Sequence, residues 1–74
     1  MTSEAMEAIL ETALHAAVEE GWLDEEGLTD DETLITTRRF REAGLMTDDA
    51  GLVITVDDPN GGVAEFQVSI VRSR

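Results

Sequence analysis

Residues 51–70 read GLVITVDDPNGGVAEFQVSI, and this stretch decides the class of fold. Leu52, Ile54 and Val56 alternate with Val53, Thr55 and Asp57, while Ala64, Phe66, Val68 and Ile70 alternate with Glu65, Gln67 and Ser69. A period of two belongs to an extended strand, whose successive side chains point to opposite faces. Between the runs lies Asp58-Pro59-Asn60-Gly61-Gly62, dense in residues that set or tolerate turn dihedrals. The two runs are therefore expected to form an antiparallel hairpin with an apolar Leu/Ile/Val and Phe/Val/Ile face. Upstream, Asp48-Asp49-Ala50-Gly51 reads as another turn, so Leu45-Met46-Thr47 is expected to add a short third strand. A lone hairpin is marginal in water and needs a helix as a floor.

That helix is expected over Ser3 to Glu20. Met6, Ile9, Leu10, Ala13, Leu14, Ala17 and Val18 recur at spacings of three and one, which places them on one stripe. Ser3 suits the N-cap position, and Glu4 and Glu7 favour the positive end of the helix dipole. Gly21 is a natural left-handed stop, with Trp22 and Leu23 folding back onto the last turn. The hairpin would pack on the apolar stripe.

The middle of the chain is less regular. Asp24, Glu25, Glu26 and Gly27 read as a loop, and Thr29-Asp30-Asp31-Glu32 has the form of a capping box. Leu34 and Ile35 project to a different side of a helix from Phe40 and Ala43, and Thr33, Thr36 and Thr37 are weak helix formers. The expectation is a broken pair of short helices, at about 29–35 and 37–43. The fold class is then α+β in a single small domain, with an element order resembling a winged helix-turn-helix.

Seventy-four residues bury only about 60% of the unfolded surface, so the core is thin and a homodimer is one way to complete it. No run of about 20 apolar residues exists to span a membrane. With no cysteine and no export signal, the expected location is the cytoplasm. The lack of cysteine also excludes disulfides and thiolate metal sites, and the single histidine, His15, cannot form a histidine cluster. No nucleophile elbow or phosphate-binding glycine loop is present, and the carboxylate pairs sit in polar loops where neither member is desolvated. Asp57, Asp58 and Asn60 miss the spacing of a calcium loop. Neither an enzyme nor a cofactor is expected.

Charge is the loudest feature: seventeen acidic residues face five basic ones, all arginine, for a net charge of −12. Such a chain repels nucleic acids and anionic membranes and is drawn to basic surfaces; the same acidity also serves solubility. Two acidic groups are candidate partner-binding residues. Glu4, Glu7 and Glu11 form a ridge on the first helix, with His15 in the same arc, and Asp24, Glu25, Glu26, Asp30, Asp31 and Glu32 place six carboxylates within nine residues. Trp22, beside the second group, is the candidate apolar anchor. Arg38, Arg39 and Arg41 are the alternative: on a recognition helix at 37–43 they would face DNA, although Asp57 and Asp58 stand where a DNA-reading wing wants Lys or Arg.

The run Thr37-Arg38-Arg39-Phe40-Arg41-Glu42-Ala43-Gly44-Leu45-Met46-Thr47, followed by the 51–56 and 65–71 strands, resembles in style small proteins encoded by phages and prophages. Anti-CRISPR inhibitors are among them, and several are similar to this chain in size and charge. The resemblance implies an acidic inhibitor that occupies a site built for nucleic acid on a larger protein. It carries over no functional residue, since no diagnostic motif matches.

Overall fold

The computed structural model describes residues 1–45 and 49–74. In chain order it contains α1 (Ser3–Glu19), α2 (Trp22–Glu25), β1 (Leu34–Arg39), β2 (Ala50–Asp58) and β3 (Gly62–Ile70). The α+β class with an N-terminal helix and a C-terminal hairpin holds. The strands make one antiparallel sheet in the order β1-β2-β3, with Ile54 of β2 opposite both Thr37 and Phe66. The hairpin turn is closed by the Gly61 amide donating to the Asp58 carbonyl at 3.1 Å.

The cap of α1 lies one residue before the expected Ser3: Thr2 is extended, and its hydroxyl accepts from the Ala5 amide at 3.0 Å. It ends at Gly21, whose φ of 72° only glycine adopts without strain. Trp22–Glu25, expected to be fold-back and loop, forms the single turn of α2 instead.

The stretch 29–43 departs most from expectation, because neither helical piece forms. Thr29 donates its hydroxyl to Asp24, and the Asp30 carboxylate accepts from the Glu32 amide at 2.9 Å and the Thr33 hydroxyl at 3.2 Å. Asp30 thus spends its acceptor within a local turn, the usual competition of Asp with helix formation. Residues 34–39, including the β-branched Ile35, Thr36 and Thr37, extend into β1. The third strand is therefore here; of the short strand expected over Leu45-Met46-Thr47, Met46 and Thr47 lie outside the described residues. With 34–39 in a strand, the recognition helix expected at 37–43 does not form.

α1 lies along β2, and the two faces of the sheet differ. One face carries Thr37, Arg39, Leu52, Ile54, Phe66 and Val68, and α1 covers its β2 part, where Leu52 is only 2% exposed. On the other face the Phe40 ring fills the space above Gly51, where a Cβ would collide with that ring and with the Val68 carbonyl oxygen. The buried apolar side chains are Phe40, Ala50, Leu52 and Val53.

The apolar stripe of α1 does not form that core. Met6, Ile9, Leu10 and Val18 remain exposed, while the buried residue of the helix is Glu7. β3 likewise leaves Phe66 and part of Val68 in solvent, so the hairpin packs on the helix mainly through β2.

Candidate functional site

The polar residues of α1 and β1 meet in one network. Glu7, 3% exposed, accepts the Gly51 amide on Oε2 at 2.8 Å, and its Oε1 lies 3.4 Å from Arg39 Nε. Arg39 Nε is also 3.5 Å from Glu11 Oε1, so one guanidinium sits between two carboxylates. Thr37 donates its hydroxyl to Glu11 Oε2 at 3.0 Å and lies 2.8 Å from His15 Nε2. The single hydroxyl proton is committed to Glu11, so His15 Nε2 is the donor in the second bond. This network ties the helix to the sheet by the very ridge expected to face a partner. Glu7 is buried and Glu11 half-buried, and both are turned inward; only Glu4 of that trio is open to solvent.

The arginines divide in the same way. Arg39 is held by Glu7 and Glu11, and Arg38 is 3.6 Å from Glu65 across an exposed part of the sheet. Arg41 is exposed in the turn after β1. The three do not form a common row on a helix, since Arg38 and Arg39 point to opposite faces of a strand.

The second acidic group stays together. Asp24, Thr29, Asp30, Asp31 and Glu32 line one open concavity between α2 and β1. Asp24, Glu25, Glu26, Asp30, Asp31 and Glu32 are all exposed, and among the described residues none of the six is ion-paired. Trp22 stands at the head of this segment, 52% exposed. Asp24 and Asp30 have a structural duty as turn acceptors; Glu25, Glu26, Asp31 and Glu32 make no side-chain bond within the described residues. Among those residues no three acids or histidines cluster closely enough to hold a metal ion, and no helix is long and apolar enough to cross a membrane.

Sequence periodicity did not reveal the exposed apolar surface of Met6, Leu10, Phe66 and Val68. The alternation in β3 was visible, but alternation marks a face that wants cover without saying whether the same chain supplies it.

Comparison with protein-family models, with curated proteins and with solved structures returns no match.

Proposed function

We propose that this chain is a non-catalytic acidic binding protein that docks the Trp22–Glu32 segment onto a basic surface of a larger protein. The observation that carries the reading is the exposure of Trp22 beside six exposed carboxylates that have no ion pair among the described residues. Carboxylates held together without internal counterions repel one another, a cost that a basic partner relieves. They steer association with lysine- and arginine-rich surfaces, and a half-exposed tryptophan supplies the desolvated anchor that fixes register. The surfaces with that chemistry are those that otherwise hold nucleic acid, which makes an inhibitor of a nucleic-acid-handling protein, as in the phage-encoded proteins of similar size and charge, the specific form of the proposal. Glu7 and Glu11 are withdrawn from the contact set because they serve the fold.

The test is capture from a nuclease-treated host lysate by wild type and by the E25Q/E26Q/D31N/E32Q variant, which leaves the turn acceptors Asp24 and Asp30 in place. The expected result is a basic protein held at low salt and released near ~0.5 M, where screening is almost complete. The variant should bind it at least about tenfold more weakly, and Trp22→Ala about thirtyfold, the scale of an interface anchor. Capture unchanged by both variants, with their circular dichroism intact, would overturn the proposal.

A further inference from the structure

From the geometry of α1 and β3 we infer that two copies of this chain pair edge to edge along β3, forming a six-stranded sheet with both α1 helices on one face. The inference stands apart from whatever the acidic segment binds.

β3 is an unprotected edge. It runs nine residues, Gly62–Ile70, with Glu65 its single charge, whereas the opposite edge, β1, carries two arginines in six residues. Soluble proteins blunt free edges with charge, proline or a bulge, and β3 has neither proline nor bulge and only the one charge. Its outer face carries Glu65, Gln67 and Ser69 with Val63 near the turn, while the face shared with α1 holds Ala64, Phe66, Val68 and Ile70, and Phe66 is 55% exposed. Beside it, α1 presents Met6, which lines a cavity with Ile70, and one turn later Leu10, 40% exposed. α1 runs antiparallel to β3, and a helical turn and a strand repeat both advance about 6 Å, so Leu10 follows Val68 along the same cleft.

The amount of surface points the same way. A folded monomer of 8.1 kDa exposes about 4,500 Å², yet this chain exposes 5435 Å², an excess of about 900 Å². A standard interface takes about 800 Å² from each partner. The radius of gyration, 13.4 Å, also exceeds the roughly 11 Å of a compact chain of this length.

The second copy fits by symmetry and by charge. A two-fold axis through Phe66, the middle residue of β3, pairs the strand antiparallel with itself and keeps both helices on one face, an isologous contact. The two β2 strands are then about 14 Å apart, and Met6, Leu10, Phe66 and their copies fill the gap between the helices. In that register Ile70 of one copy faces Gly62 of the other, so the following Arg72 and Arg74 pass the other's hairpin turn with its Asp57 and Asp58, basic near acidic at both ends. The acidic segment precedes β1, at the far edge of the sheet, so the two strongest like charges stay apart.

The intact chain should sediment at twice 8.1 kDa at micromolar concentration. Phe66→Glu, at a position outside the core, should return the mass to 8.1 kDa with an unchanged circular dichroism spectrum. V63C and S69C, each added singly to the cysteine-free chain, should cross-link on oxidation when mixed and not alone, because residue 63 of one copy faces residue 69 of the other. A monomeric wild type, a dimer indifferent to Phe66→Glu, or a mixture that fails to cross-link while remaining dimeric would each overturn the arrangement.

Discussion

Glu7 is buried because the sheet leaves an amide there without a strand partner. The Phe40 amide donates to the Gly51 carbonyl at 3.1 Å, but the reciprocal acceptor, the Phe40 carbonyl, is taken by the Leu45 amide as the chain turns away. Gly51 N–H is then bonded by the Glu7 carboxylate, and Arg39 compensates its charge. The two halves of this arrangement differ in cost. Glu7→Gln keeps an acceptor for Gly51 and leaves Arg39 beside Glu11, so it should destabilise by about 1 kcal/mol. Arg39→Ala strands a buried carboxylate and should cost about 3–5 kcal/mol, a large share of the roughly 4–11 kcal/mol available to a domain of this size. Urea denaturation of the two variants checks the order; equal costs would mean that the Glu7 charge is not what Arg39 serves. This pairing could not be read in the sequence, because Glu7 is 44 residues from Gly51 and acids spaced along a helix ordinarily mark a solvated face.

At the scale of elements, the N-terminus of α1 separates two candidate caps that are adjacent in sequence. Thr2→Ala removes the bond to the Ala5 amide and should cost about 1 kcal/mol, while Ser3→Ala, already within the helix, should change stability by less than about 0.5 kcal/mol. Thermal denaturation followed at 222 nm resolves the pair, and the reverse order would place the cap at Ser3. Helix and hairpin were legible because each repeats its own period over many residues and ends in glycine-rich turns. The segment 29–43 was not, since Thr29-Asp30-Asp31-Glu32 carries the letters of a capping box while Asp30 and Thr29 use their side chains in a turn against Asp24, Glu32 and Thr33. The β-branched run Ile35-Thr36-Thr37 was the contrary signal, and with β2 to pair against it prevailed. The acidic segment was legible as a cluster because its residues are local; the Glu7–Glu11 half of the expected surface was not, because its arginine comes from another element.

For the molecule as a whole, four buried apolar side chains among the described residues are a slight core, and much of the apolar stripes of α1 and β3 is left uncovered within the chain. Burial of apolar surface is the main favourable term in folding, so a partner that covered those stripes would add substantially to stability. If the cover is a second copy, folding and association are linked, and mass action makes the unfolding temperature depend on concentration. The thermal midpoint of the wild type should therefore rise by several degrees between about 1 and 100 μM chain, since each tenfold change in concentration shifts the balance by about 1.4 kcal/mol. Phe66→Glu should melt lower and at one temperature throughout that range. A wild-type midpoint independent of concentration would mean that the exposed stripes add nothing to folding, and would leave the small core and the Glu7–Arg39 network to hold the chain together. A linked dimer has a consequence for binding too: with the β3 edges at the centre, the two Trp22–Glu32 segments stand toward opposite ends of one rigid sheet. A partner with two basic sites at matching separation would then be held far more tightly by the dimer than by Phe66→Glu, and a single-site partner would not distinguish them.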